Sequence, residues 1–321
     1  MKAACLFLST ALAGFSFMGD AAYAALRDGF SNYSVRAMYD PDADHQFIVG
    51  FVSNGTASKQ LLLRTLGPAL AQYGIADYLW YPRFELYDSS GPFFTNGWFW
   101  NFDIHSMKGG DDGTYADITA QMDALFALLG ASSLQPGSYD SDGVLTLVPQ
   151  PYTSEVWAPT DNHSGVCLFE VYDADPVATD SHLINISGRA YVGTGDQVLI
   201  VGFVTNRPGK VMIRGVGPGI LAQGVNNALA DPVLTVYSGS TPIASSDDWG
   251  KDPTGLAGYA VSKATAADMQ RLGAFALTTG STDAAIEIVL PVAGAYTAIV
   301  VGKGGSKGTA LVEAYWMGAT Q

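Results

Sequence analysis

Two heptapeptides decide how the rest of the chain is interpreted: residues 48–54 read IVGFVSN, and residues 200–206, 152 positions later, read IVGFVTN. Six of the seven positions are identical. Each segment is rich in β-branched and aromatic residues and ends in a polar pair, which is typical of a buried β-strand that runs into a turn.

Three further blocks follow the first heptapeptide and recur, in the same order, after the second. LLLRTLGP (61–68) returns as VMIRGVGP (211–218), PRFELY (82–87) as PVLTVY (232–237), and GVCLFEVY (165–172) as GTALVEAY (308–315). Ordered blocks with slowly drifting spacing indicate an internal duplication of a unit of about 145 residues, which is an ordinary domain size.

The N-terminus and the duplication together divide the chain into three parts. Residues 1–24 carry one positive charge, then an apolar run, then small residues at Ala22 and Ala24, which is the pattern of a signal peptide cleaved after Ala24. Copy one is predicted at 25–176 and copy two at 181–321, separated by a polar stretch that contains Pro176. The sequence therefore predicts a secreted or cell-surface protein with no transmembrane span in the mature chain.

The segments within each copy are short and β-like, and Gly and Pro separate them as turns. They predict a mainly β fold of two tandem antiparallel β-sandwiches, of the jelly-roll or immunoglobulin-like kind. One helix per copy is expected at most, at 115–129 and at 264–272. Copy one differs from copy two by longer loops between Trp80 and Tyr152.

Composition excludes several classes of function. The 321 residues include 16 Lys+Arg against 30 Asp+Glu, a net charge of -14, and no basic cluster, so a nucleic-acid partner is not expected. With 48% hydrophobic and 14% charged residues, the chain is not a disordered polyelectrolyte. Cys167 is the single cysteine beyond the signal peptide, and its apolar neighbours predict a buried side chain rather than a nucleophile.

Several segments of copy two resemble a known family. VGTGDQVLIVGF, KVMIRGVGPGI, ADPVLTVYSG, SSDDW and GAYTAIVVGKGG…GTALVEAY are similar to a tandem repeat module of bacterial secreted proteins. The second half is also distantly similar to the bacterial pre-peptidase C-terminal domain, a β-sandwich attached to secreted enzymes. The resemblance runs through 181–315 and, in copy one, fails between Trp80 and Tyr152. It implies a non-catalytic accessory β-sandwich outside the cell, with no defined ligand or reaction.

The aromatic excess of copy one supplies the candidate binding residues. Ten aromatic residues lie within 23 positions beginning at Trp80, and Gly and Asn are interleaved with them. Aromatic rings in loops stack on sugars or pack against protein partners, although they also cover the ends of sandwiches. The residues predicted to bind a glycan or a surface protein are Trp80, Tyr81, Trp98 and Trp100. At least two of the three tryptophans should be accessible to solvent.

Metal and catalytic sites are weakly indicated. No cofactor is required, but loop carboxylates that could share a Ca²⁺ ion occur at Asp111, Asp112, Asp247 and Asp248, with solvated turns as the alternative. No histidine has metal-ligand spacing, and no nucleophile motif is present. The glycines at 215–219 superficially resemble a phosphate loop, but the proline removes an amide donor, which favours a tight turn.

Charged residues kept by both copies inside apolar strands lead to a structural prediction. Glu170 and Glu313 share a strand face with apolar residues, and Arg64 and Arg214 follow apolar runs. A buried charge requires a partner, so Arg64 should pair with Glu170 and Arg214 with Glu313. Arg36 and Arg189 are the reserve partners.

These observations favour an exported, non-enzymatic protein for adhesion, for glycan or protein binding, or for extracellular assembly. Two alternatives stay open. One is a secreted hydrolase with its active site in the long loops of copy one, and the other is a structural subunit of a fibre or matrix. The sequence does not decide the oligomeric state.

Overall fold

The computed structural model describes residues 28–41, 46–95, 114–135, 137–158, 164–176 and 178–320. The mainly β fold is confirmed, and the strands pair antiparallel except where β1 meets β9, with which it makes a short parallel pairing. Copy one contributes β1 to β8, at Phe30–Tyr39, Phe47–Asn54, Lys59–Leu66, Arg83–Asp88, Gly91–Thr95, Ser141–Leu147, Pro151–Trp157 and Gly165–Asp173. Copy two contributes β9 to β18, at His182–Val192, Leu199–Thr205, Gly209–Val216, Pro232–Ser238, Thr241–Ser246, Thr254–Gly255, Val261–Ser262, Ala284–Leu290, Gly294–Gly302 and Gly308–Ala319.

The repeated blocks occupy equivalent strands, as the duplication predicts. The heptapeptides lie in β2 and β10, and the two arginine-containing blocks lie in β3 and β11. β3 pairs with β6 and β8, and β11 pairs in the same way with β16 and β18. Both predicted helices are present, α1 at Thr114–Leu129 and α2 at Ala266–Arg271. Thr265 caps α2, because its hydroxyl accepts the amide hydrogen bond of Asp268.

The sequence did not reveal that the two copies share their sheets. β1 of copy one pairs with β10 of copy two, and β9 of copy two pairs with β2 of copy one. Two sheets result, each with eight main strands, four from either copy, and the short strands β14 and β15 of copy two extend them beyond β13 and β16. The first sheet has the order β6-β3-β8-β1-β10-β17-β12-β13, and the second has the order β16-β11-β18-β9-β2-β7-β4-β5.

The inner faces of both sheets form one hydrophobic core that contains residues of both copies. Phe84 of the second sheet meets Phe169 of the first with ring centroids 5.6 Å apart. β1 and β9 cross at the centre, where a Cβ on Gly188 would lie 2.4 Å from Val35, so only glycine allows this approach. Each copy also has a smaller cluster on an outer face, under α1 in copy one and under α2 in copy two.

No helix in the described part of the chain is long and apolar enough to cross a membrane. The boundaries proposed for the signal peptide and the two copies stay predictions.

The chain between the copies is held against copy one, because Asp180 accepts hydrogen bonds from the Thr56 and Ala57 amides at 3.1 and 3.0 Å. The connection between the copies is therefore attached to the β2–β3 turn.

Candidate functional site

The predicted ion pair of copy one is present on the outer face of the first sheet. Arg64 is fully buried, and its Nε and Nη2 donate to Oε2 of Glu170 at 2.9 and 2.7 Å. Nη1 donates to the carbonyl of Ser132 at 2.6 Å, and the Tyr172 hydroxyl donates to the other carboxylate oxygen at 2.9 Å. The guanidinium lies 4.7 Å above the ring centroid of Phe126.

Copy two repeats this arrangement on the outer face of the second sheet. Arg214 Nε donates to Oε2 of Glu313 at 2.7 Å, and Nη1 donates to the carbonyl of Phe275 at 2.6 Å. The Tyr315 hydroxyl donates to Glu313 at 2.7 Å. The reserve partners are not used: Arg36 and Arg189 lie on the neighbouring strands β1 and β9, but they are opposite Leu168 and Leu311 rather than the glutamates.

The electrostatics of these groups indicate architecture rather than chemistry. Burial alone would lower the pKa of Arg64, but Glu170, Tyr172 and Asp142 outweigh it and raise that pKa. Burial, followed by the Glu170 charge, raises the pKa of Tyr172 well above its ordinary value. The arginine therefore stays charged and the tyrosine neutral, and neither is available as an acid or base near neutral pH.

The candidate binding residues fall partly within the described chain. Trp80 is 52% exposed, and its ring centroid lies 5.4 Å from that of Tyr78. Tyr81 is half-buried, and its ring lies 4.2 Å from that of Tyr139, which is 39% exposed. Trp98 and Trp100 lie outside the described residues, so the expectation that two of three tryptophans are accessible is met for Trp80 alone and otherwise stays a prediction.

We call these four rings, Tyr78, Trp80, Tyr81 and Tyr139, the aromatic patch. The first three lie in the connection between β3 and β4, and Tyr139 lies just before β6. The patch is confined to copy one, because the equivalent positions of copy two are occupied by Ala228, Ala230, Asp231 and Thr282. Sequence analysis found Trp80 and Tyr81 but missed the two tyrosines that pack beside them.

The candidate calcium ligands are only partly described. Asp111 and Asp112 lie outside the described residues. Asp247 accepts a hydrogen bond from Lys303 at 2.6 Å, and Asp248 accepts one from Lys251 at 2.6 Å. The described residues hold no group of three or more possible metal ligands. The Ca²⁺ site stays a prediction, and a cation at Asp247 or Asp248 would compete with a lysine ammonium group.

The glycine-rich turn after β11 has its amides occupied. Oδ1 of Asp283 accepts from the amides of Gly217 and Gly219 at 2.8 and 3.0 Å. Asp140 does the same in copy one, where Gly67 donates at 2.7 Å. Burial raises the pKa of Asp140, although the amide hydrogen bonds oppose that rise. A tight turn closed by a buried aspartate, rather than a phosphate loop, therefore explains the glycines.

Two further charged groups escaped sequence analysis. Lys59 is 1% exposed, and its Nζ donates to Asp173 and Asp175 at 2.8 and 2.7 Å. The second group is a carboxylate pair on the outer face of β4 and β7, where Glu85 is directly opposite Glu155. The Tyr87 hydroxyl donates to both, and the hydrogen bond to Glu85 raises its pKa to about 12.

The one described cysteine is buried, as predicted. Cys167 of β8 is inaccessible to solvent, and burial raises the pKa of its thiol well above the ordinary value. A thiol of this kind is not a nucleophile near neutral pH.

No protein-family model matches the chain, and no curated protein sequence matches it. Two solved structures of PNGF-II, in space groups P21 and C2, are similar to it at 11% and 10% identity, each with a TM-score of 0.21. The matches cover 95% and 92% of this chain but 64% and 58% of the PNGF-II chains, so this chain spans less than two-thirds of their length. A likeness at this TM-score carries no argument about function.

Proposed function

We propose that the protein is an exported, non-enzymatic binding protein that attaches to glycans through the aromatic patch of copy one. Export rests on the N-terminal pattern of residues 1–24. The single observation that carries the binding role is the patch itself, in which an indole and two phenol rings of the β3–β4 connection and a third phenol ring just before β6 are partly open to solvent.

The chemistry of the patch suits a sugar. An aromatic face stacks on the apolar face of a pyranose ring, while phenol hydroxyls at its edge exchange hydrogen bonds with the sugar hydroxyls. Trp80 offers the most accessible ring, and Tyr78 supports it from one side. Because copy two has small or acidic residues at these positions, binding belongs to copy one alone.

A glycan array, followed by calorimetry with the strongest glycan, tests the proposal. Trp80→Ala should weaken binding about five- to tenfold, since aromatic stacking contributes about 1 kcal/mol or somewhat more. Val292→Ala is the matched control, because Val292 is similarly exposed, at 57%, but lies in copy two. Equal loss in both variants, or no glycan bound by the parent protein, would contradict the proposal.

The carboxylate pair favours a second candidate function, that of a glycoside hydrolase. Glu85 and Glu155 stand on neighbouring strands, close enough to share one tyrosine hydroxyl. Paired carboxylates of this kind can serve as acid and nucleophile. Hydrolysis of the bound glycan by the parent protein, abolished by Glu155→Gln and unaffected by Trp316→Phe, would establish this candidate in place of the first.

A further inference from the structure

A groove crosses the outer face of the second sheet where the two copies meet. Its larger part has a volume of about 410 Å³, and a smaller part of about 180 Å³ adjoins it. Arg189 and Gln223 line both parts. The floor is formed by Ile48, Gly50, Thr153, Ser187, Arg189 and Leu311. One wall is the 3-10 helix Pro218–Gln223, and Phe275 contributes to the other.

The same six residue types occur at equivalent positions of the first sheet. Leu168 and Ile200 flank Arg36 there, as Leu311 and Ile48 flank Arg189 in the groove. A serine, a glycine and a threonine complete both floors, at Ser34, Gly202 and Thr297 in the first sheet.

The two floors differ in accessibility. Arg36 is 2% exposed, and its Nη2 donates to the carbonyl of Asp196 at 3.3 Å. Arg189 is half-buried, and its one hydrogen bond to a described residue goes to Gln46 at 3.5 Å, the outer limit for such a bond. Its N–H donors therefore face the groove with little competition from the protein.

Charge is distributed unevenly along the floor. Glu155 lies on the far side of Ile48 from Arg189, two strands away or about 10 Å. In the same row of the first sheet, the residue equivalent to Glu155 is Ile299. The groove is thus cationic at Arg189, and the carboxylates of Glu155 and Glu85 lie on the same outer face just beyond its opposite end, where Thr153 is the last lining residue.

We propose that this groove binds an acidic sugar residue, with Arg189 holding its carboxylate and Glu155 accepting hydrogen bonds from its hydroxyls. The planar guanidinium matches a carboxylate with two parallel hydrogen bonds. A ligand with a negative charge at both ends would be repelled by the glutamates. A ligand with one carboxylate, whose other end is neutral, therefore fits best. The volume suits a ligand of one or two sugar units.

The inference rests on the proposed function for its ligand class but uses a different surface. The test is a chemical-shift titration of the purified protein with methyl glucuronoside, methyl glucoside and inorganic phosphate. The parent protein should bind the glucuronoside about tenfold more tightly than the glucoside, and phosphate should bind more weakly than the glucuronoside.

Arg189→Gln should remove this preference, while Arg271→Gln, which alters an arginine on α2 that pairs with Asp268, should keep it. Equal affinity for both glycosides in the parent, phosphate binding as tight as the glucuronoside, or equal losses in both arginine variants would overturn the inference. Trp80→Ala separates the two proposals. If Trp80→Ala weakens glycan binding while Arg189→Gln changes nothing, the proposed groove site is wrong and the proposed function of the aromatic patch is retained. If Arg189→Gln removes the preference while Trp80→Ala changes nothing, only the groove site is retained.

Discussion

Copy one and copy two fill the same buried position, at the start of β3 and of β11, with different kinds of side chain. In copy one, Lys59 at the start of β3 is buried against Asp173 at the end of β8. In copy two, the equivalent residues are Gly209 and Trp316, and the indole occupies the space of the missing side chain. An ion pair and an aromatic ring are thus alternative ways to close one strand end, provided both partners change together.

The copies also differ beside their shared arginine–glutamate pair. Asp142 is directly across from Arg64 in copy one, and Ala285 is across from Arg214 in copy two. Copy one therefore keeps a second carboxylate near its arginine, whereas copy two depends on one. The two arginine–glutamate pairs are alike in geometry, but only the pair of copy one has a further carboxylate beside its arginine.

The largest expected effect comes from removing that one carboxylate. Glu313→Ala leaves Arg214 charged and fully buried, so it should destabilise the protein by about 3–5 kcal/mol. Glu170→Ala should cost less, because Asp142 still compensates Arg64. Urea unfolding of both variants measures the difference. Equal losses would show that Asp142 does not act as a reserve and would remove this distinction between the copies.

Removing the buried lysine of copy one should have the next largest effect. Lys59→Met leaves two buried carboxylates, but backbone amides donate to both, at 2.7 and 3.2 Å, so we expect a loss of about 2–3 kcal/mol. Lys251→Met, at an exposed pair, is the control and should change stability by less than about 0.5 kcal/mol. Similar values in the two variants would argue against a role for the ion pair in closing copy one.

A smaller effect is expected from adding one methyl group to copy two. The Cβ of Gly209→Ala would lie 2.0 Å from the Trp316 ring, so the ring must move, at a cost of about 1–3 kcal/mol. The double variant with Trp316→Leu should lose less than the sum of the single losses. Strict additivity in thermal unfolding would mean that the two positions are not coupled.

The smallest effect concerns the chain between the copies, and it depends on pH. Hydrogen bonds from the Thr56 side chain and the Ala57 amide lower the pKa of Asp180 from its ordinary value. The contact is therefore complete above pH about 4 and is lost as the pH falls through the lowered pKa. Amide chemical shifts of Thr56 and Ala57 should follow this titration, while those of the copy two turn at 206–207 should not.

Asp180→Asn is the control for that titration and should abolish it. If the Thr56 and Ala57 amides shift with pH in the variant as well, another carboxylate is responsible. The difference between the β2–β3 turn of copy one and the equivalent turn of copy two would then not measure the contact that Asp180 makes.

Sequence alone predicted the parts of the fold that local pattern controls. The repeated blocks identified equivalent strands, both helices were placed within two residues, and the Arg64–Glu170 pair followed from a charge inside an apolar strand. These predictions succeed because a buried charge requires an oppositely charged partner nearby, and because alternate residues of a strand must share a face. Trp80 is exposed, as expected, but its role in binding stays a prediction.

The features that were missed depend on distant partners. Nothing in the sequence of β1 distinguishes an edge that faces solvent from one that pairs with β10, because side-chain alternation reports the faces of a strand, whereas its edges are backbone groups that every residue carries. Lys59 follows a polar turn and has the sequence of a surface residue, and only the carboxylates that return 114 positions later bury it. Aligning Lys59 with Gly209, and Asp173 with Trp316, is the signal that would have revealed their coupling.

The shared sheets impose a delay on the newly made chain. β10, the partner of β1, begins about 160 residues after β1 ends, which corresponds to roughly 10–30 seconds of synthesis at ~5–20 residues per second. During that interval the edge of β1 that β10 will cover has no partner from its own chain, and an open strand edge is a template for pairing with other chains. Two copies that had kept separate sheets would each finish folding as they emerged, so the fusion that unifies the core lengthens the period in which aggregation competes with folding.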